Sequence, residues 1–236
     1  MPPATESSGD APARARLSRQ RVLRAAVSLA DREGLEALTM RRLAGELGVE
    51  AMSLYHHVAN KEAILDGVIE VVTDEVMAAV GGADAPAPQD DWQAAMRARI
   101  LAARTVLLRH PWAPRVLETR TAMSPTLMGY YDGVLGIFRA GGFDWDLAHQ
   151  AMHALGSRAL GFTQELFQPD DAEADDAETL AMFEQMGEQF PHLVGMLAEI
   201  VHDDPDRSLG WCDDQREFEF GLDVLLEGLE RRRAAR

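Results

Sequence analysis

Cysteine is nearly absent: Cys212 stands alone in 236 residues, which excludes an internal disulfide framework and any multi-cysteine metal site. Nothing basic flanks it, so it reads as a small side chain near a helix start rather than a redox sensor. Long apolar runs are missing too. None approaches the roughly 18 residues a membrane helix needs, and Met1 to Arg16 is rich in Pro, Ala and Ser without an apolar core; no membrane contact is expected, and a cytoplasmic location is. Runs of alternating β-branched residues are lacking, which argues against a sheet. The chain has no Gly-rich phosphate loop, no Ser elbow and no Cys/His pair in a supporting context, while Glu165 and the acidic residues near it stand isolated. An all-α enzyme is therefore the weaker reading, and neither catalytic residues nor a cofactor are expected.

Positive charge is scarce overall, with a net charge of −16, but it is unevenly placed. Residues 1–61 hold nine basic side chains (Arg14, Arg16, Arg19, Arg21, Arg24, Arg32, Arg41, Arg42 and Lys61) against seven acidic ones, net +2; the remainder holds fourteen against thirty-two, net −18. Within 12–61 the balance rises to +4. A basic end on an acidic body suits a protein that meets phosphate with one face, because counterion release needs only a local basic surface.

What periodicity there is, is helical, and the fold class expected is all-α. Ser18 caps a first helix with Val22, Ala26, Leu29 and Ala30 on one face, closed by Gly34 where positive φ is cheap. Thr39 caps a short helix, Met40 to Leu47, with Leu43, Ala44 and Leu47 inside. Gly48 breaks it, a third helix runs from about Glu50 to His57, and Asn60 caps a fourth that buries Ile64, Leu65, Val68, Ile69, Val72 and Val76. Gly81 to Gln89, with two glycines and two prolines, reads as a linker and a compositional domain boundary. Further helices are expected at roughly 90–109, 112–119, 124–140, 145–167, 176–201 with a break at Pro191, and 213–232. The acidic run Pro169 to Glu178 reads as a solvated loop.

Two short helices joined at a glycine, with Ala44, Leu47, Val49, Leu54 and Val58 facing inward, build the unit that lays its second helix in a DNA major groove. Outside remain Ala51, Met52, Ser53, Tyr55, His56 and His57, groups able to touch base edges, thymine methyls and phosphate oxygens. No acid occurs from Ala51 to Lys61, and Lys61, the chain's single lysine, opens the next helix, where its ammonium and neighbouring N–H groups can grip a phosphate. Singly, these residues also fit a half-buried aromatic and imidazoles at a helix end. Their combination points to DNA.

The segment Leu35 to Leu65, LEALTMRRLAGELGVEAMSLYHHVANKEAIL, resembles the DNA-binding domain of tetracycline-repressor-type regulators, with LYHHVANKEAIL among that family's more specific signatures. The resemblance implies that Thr39 touches phosphate and Arg41 a base, that Ala51, Met52, Ser53 and His56 read bases, and that Tyr55, His57 and Lys61 hold phosphates. Ala51 and Met52 cannot make bidentate bonds to guanine or adenine, so readout there is apolar. Asp91 to Arg120, Gly141 to Phe162 and the closing FEFGLDVLLEGLE resemble the family's regulatory core and imply a homodimer. The expected organisation is then a disordered arm at 1–16, a three-helix helix-turn-helix domain at 17–62 and a helical ligand-binding and dimerisation domain at 63–236. The expected activity is that of a repressor holding a palindromic operator as a dimer and released by a small-molecule effector. An activator and a non-DNA-binding helical adaptor are the alternatives, the latter using Arg231, Arg232, Arg233 and Arg236, which also simply complement a helix C-terminus.

Two heads about 34–36 Å apart reach successive major grooves, so something must pair them. The helices at about 145–167 and 213–232 offer Leu147, Leu155, Leu160, Phe218, Leu222, Leu225, Leu226 and Leu229, with small residues such as Gly156, Gly221 and Gly228; the same faces also suit an ordinary core. Candidate effector contacts are Met96, Arg104, His110, Trp112, Thr119, Arg120, Met123, Tyr130, Tyr131, Phe138 and His153, although Met and aromatic residues at helical spacing equally build cores. The resemblance makes the fourth helix the lever between pocket and head. His149 and His153 stand four apart, but HQAMH lacks the glutamate of HExxH and has no evident third ligand, so no metal is expected. In the family's founding repressor a histidine in the segment matching Pro111 to Thr119 helps chelate the drug's magnesium. Val116, Leu117 and Glu118 stand here instead, which separates the regulator reading from tetracycline itself.

Tyr55→Ala and Lys61→Ala are each expected to weaken operator binding without unfolding the chain, and loss of Lys61 to lower the slope of log affinity against log salt by about one. Titrations of a labelled operator at several salt concentrations check both.

Overall fold

The computed structural model describes residues 16–120, 124–161, 187, 189–192, 194, 195 and 214–236. Among them there is no strand. Met123, Glu165, the run 169–178, Cys212 and most of the expected 176–201 helix lie outside the described residues, as does nearly all of the N-terminal arm. Helices run in the order α1 (Arg19–Glu33), α2 (Met40–Leu47), α3 (Ala51–Leu54), α4 (Lys61–Gly81), α5 (Trp92–Arg109), α6 (Ala113–Glu118), α7 (Pro125–Ala140), α8 (Trp145–Gly161) and α9 (Asp214–Ala234). The chain forms two compact units, Met1–Gly81 with Thr105–Tyr130 and Gly82–Arg104 with Tyr131–Arg236, so the divisions fall after α4 and inside α5 and α7.

In the first unit the starts of the helices are set by side chains that satisfy amides lacking an intrahelical partner. Ser18 Oγ accepts from the Arg21 N–H at 3.2 Å, Thr39 Oγ1 from Arg42 N–H at 3.1 Å, and Asn60 Oδ1 from Ala63 N–H at 2.8 Å. The core is the α1 stripe Val22, Leu23, Ala26, Val27, Leu29 and Ala30 against the α4 stripe Ile64, Leu65, Val68, Ile69, Val72 and Val76, all buried. Gly67 lets the two helices approach: a Cβ there would fall 2.4 Å from Leu23 Cδ2. Where α5 meets α6, the buried His110 sets Nδ1 2.8 Å from Asp31 Oδ1 and Nε2 3.3 Å from Glu75 Oε2, and Trp112 Nε1–H donates to the same Asp31 oxygen at 2.7 Å. One imidazole thus links α1, α4 and the start of α6, and only the doubly protonated ring donates to both carboxylates.

In the second unit α9 lies along the first part of α5. Arg97 spans Glu219 at 2.6 Å and Asp223 at 2.8 Å, and Arg104 stacks 4.0 Å from the centre of the buried Phe218 ring while its Nε–H donates to Gln215 at 3.1 Å. Trp92 Nε1–H donates to Glu230 at 2.9 Å; the Arg233 guanidinium first, and this bond second, hold the Glu230 carboxyl below the usual carboxylate range. The Trp92 ring packs on Phe138 and Phe143, an approach that Gly141 permits because any Cβ there would meet the indole at 2.7 Å. Gly142, at φ +85°, ends α7 and turns the Phe143 N–H back to Phe138 O. Arg158 of α8 donates to Glu217 O at 2.7 Å and occupies the space above Gly221. The room at Gly221 is therefore filled within the chain, whereas Gly228 faces open space.

Gly67→Ala forces Leu23 to move in a filled core and is expected to destabilise the chain by about 1–3 kcal/mol. Urea unfolding measures it, and the same substitution in a Leu23→Ala background should cost clearly less, because the clash has been removed.

Candidate nucleic-acid interface

The α2–α3 unit is locked by backbone bonds before any side chain is considered. At the end of α2 the Gly48 N–H bonds to Gly45 O at 3.2 Å and the Val49 N–H to Ala44 O at 3.0 Å, the paired bonds of a left-handed helix stop, with Gly48 at φ 65° and ψ 36°. The chain then reverses into α3 with Leu43, Ala44, Leu54 and Val58 buried in the seam. Leu47 and Val49, expected inside, are half-buried, since the turn carries them to its rim. The recognition helix is also shorter than its sequence suggests. Regular α-helix ends at Leu54, and Tyr55–His57 form a tighter turn in which the His57 N–H reaches Leu54 O at 2.8 Å.

This geometry leaves one face crowded with exposed groups. Met52 is 70% exposed and Tyr55 45%; Thr39, Arg41, His56 and Lys61 are exposed, and Ala51, Ser53 and His57 are half-buried. Thr39 accepts the Arg42 amide, which leaves its hydroxyl proton available to an external acceptor. Two adjacent arginines are treated oppositely. Arg42 is gripped by Glu33 and by Glu46 at 3.4 Å, and its guanidinium holds the Glu33 carboxyl below the usual range. Arg32 is likewise paired with Glu46 at 2.8 Å. Among the described residues Arg41 and Lys61 have no carboxylate partner, and both are exposed. The pairing of Arg42 with Glu46 is legible as i,i+4 spacing; Glu33 and Asp31 carry no such signal.

Just behind Lys61, Arg120 donates to Glu62 at 2.8 Å and to Asp66 at 3.2 Å, so the second residue after α6 is fastened to the first two turns of α4. Those carboxylates raise the guanidinium's pKa above its ordinary value.

The residues expected to contact an effector fall into separate groups. In the first unit His110 and Trp112 meet at Asp31, Thr119 turns its hydroxyl to Val116 O at 2.7 Å beside Arg120, and Tyr130 is half-buried. In the second, Met96 and Phe138 are fully buried and Arg104 is stacked on Phe218. Tyr131 is half-buried, which pushes its phenol above the ordinary value. His153 stands exposed on α8 beside His149.

Residues 22–68 match the family model for bacterial regulatory proteins of the tetR family, and residues 85–233 match that for tetracyclin repressor-like C-terminal domains. The chain belongs to the tetracycline-repressor family. It is a DNA-binding, ligand-responsive transcriptional repressor, not an enzyme. The HTH-type transcriptional repressor DrrR1 of Streptomyces coeruleorubidus is 32% identical over 220 residues, 91% of this chain and 77% of that one. The class D tetracycline repressor protein of Escherichia coli is 30% identical over 223 residues, 92% and 90% of the two chains. Among solved structures, apo ActR of Streptomyces coelicolor shares 26% identity at a TM-score of 0.69 and covers 96% of this chain and 99% of its own. ActR has also been solved in complex with actinorhodin. No described helix is long and apolar enough to cross a membrane.

Because a Cβ at Gly48 would meet nothing within 4 Å, the cost of Gly48→Ala is backbone strain alone, about 1–2 kcal/mol. Gly48→Asn should cost less, since Asn tolerates the left-handed region. Thermal unfolding of the two variants gives the order.

Proposed function

We propose that this repressor works as a homodimer in the cytoplasm, holds a palindromic operator with its two α2–α3 heads, and releases it when a small molecule binds among its C-terminal helices. The observation that carries the reading is the exposed set Arg41, Met52, Tyr55 and Lys61 on a backbone-locked helix-turn-helix, whose two cations have no carboxylate partner among the described residues while Arg32, Arg42 and Arg120 are tied to carboxylates. Lys61, Tyr55, His57 and Thr39 would grip phosphates, and Arg41 and His56 would reach base edges. Met52 and Ala51 would lie against thymine methyls, giving an operator with A·T pairs at those positions.

Pairing would use α8 and the outward side of α9. Phe220 is 70% exposed and Val224 52%, one turn apart on a helix whose other side is already packed on α5 and α8. Two large apolar groups in a row are costly to leave in water and are what a second copy would cover. Arg120 supports the release step: a ligand that shifts α6 pulls, through Glu62 and Asp66, on the turn that carries Lys61. Tyr131, Arg104, Met96 and Phe138 are the effector contacts proposed in the second unit. His110, Trp112, Thr119 and Tyr130 are those proposed in the first.

Sequencing the genomic DNA retained by the purified protein should return an inverted repeat with half-sites about one helical turn apart. Phe220→Glu with Val224→Glu should give a monomer that loses most of its operator affinity, by sedimentation and by gel shift. Actinorhodin and tetracycline would be tried first as releasing compounds. A monomeric wild-type chain bound to a single asymmetric site would overturn the dimer reading.

A further inference from the structure

His149 and His153 stand one turn apart on the solvent side of α8, both exposed, with Nε2 atoms 3.2 Å apart and ring centroids 4.6 Å apart, the planes crossed at 81°. Metal-free, that distance suits an imidazole hydrogen bond, one ring donating Nε2–H to the other. It is also the separation of two nitrogens on one ion. With bonds of about 2.0–2.1 Å, nitrogens 3.2 Å apart subtend about 100° at the metal, close to tetrahedral, and would set the ring centroids about 5 Å apart, so the rings need shift only a few tenths of an ångström. Sequence spacing by itself did not carry this; the convergence of the two Nε2 atoms does.

The geometry points to a divalent transition-metal site made by His149 and His153, taking a borderline cation such as Zn²⁺ or Ni²⁺ and leaving its remaining positions to water, to an added ligand or, where α8 pairs as proposed above, to a donor of the second copy. Two imidazoles favour these ions over Mg²⁺ or Ca²⁺, which require oxygen donors. Each ring would carry its proton on Nδ1, freeing both Nε2 lone pairs. The neighbouring carboxylate does not complete the set. Asp146, one turn before His149, already accepts from Gln150 and Arg236 at 3.0 Å each, and among the described residues no three His, Cys, Asp or Glu side chains are grouped to hold an ion. The site is thus a two-armed clip whose strength lies in the chelate: once one arm binds, the other is held within reach.

The test is a titration of the full chain with Zn²⁺, and separately with Ni²⁺, in competition with a chromophoric chelator. The expected result is one ion per chain that excess Mg²⁺ does not displace. His149→Gln and His153→Gln should each weaken that binding by about a hundredfold, the loss of one chelate arm, while circular dichroism stays unchanged. The double variant His56→Gln with His57→Gln should bind as wild type does. Absence of saturable binding in the wild-type chain would overturn the proposal, as would either single variant retaining wild-type affinity.

Discussion

A left-handed residue at Gly48 lets two helices of eight and four residues, each too short to persist alone, close on a shared apolar seam. The paired bonds from Gly48 and Val49 back into α2 fix the angle at which the chain leaves that helix, and Leu54 and Val58 then find Leu43 and Ala44. The outward residues of α3 are placed by this closure and not by any contact of their own. Met52 and Tyr55 are exposed because the seam consumes the other side of a helix with little more than one turn.

Charge is managed with the same economy. In a chain of net charge −16, several arginines near the head neutralise nearby carboxylates: Arg19 with Glu70, Arg32 with Glu46, Arg42 with Glu33 and Arg120 with Glu62. The first three pairs are solvent-accessible and contribute little each to stability. Their larger effect is to remove competition: a carboxylate already engaged is not available to quench Arg41 or Lys61. A chain of this net charge repels polyanions in general, so approach to DNA would be steered to a face where cations stand without nearby carboxylates.

The local grammar of the first unit was legible residue by residue. Ser18, Thr39 and Asn60 cap the helices expected of them, Gly34 and Gly48 carry the positive φ their positions called for, and the α4 stripe from Ile64 to Val76 is buried as its periodicity demands. These features depend on neighbours three or four positions away. The shorter recognition helix was not legible, because nothing in LYHHV distinguishes continued α-helix from the tighter turn that ends it. Nor were the contacts of His110, Trp112 and Arg120, whose partners lie 79, 81 and 58 positions away in Asp31 and Glu62. As isolated polar or aromatic residues they read as ligand contacts; a long-range carboxylate shows what else they hold. The different treatment of Arg41 and Arg42 was legible only in part: Glu46 stands four residues after Arg42, but Glu33, which binds it more closely, is seen beside it only in the fold.

The chain's one lysine sits exposed at the threshold of α4, so the protein has a single side-chain amine, on the face proposed to meet DNA. Any chemistry selective for primary amines, whether a labelling reagent, an amine-coupling support or an acyl donor in the cell, therefore has one side chain to modify, and modifying it cancels a positive charge where phosphate would arrive. Immobilisation through that amine would turn the start of α4 toward the support.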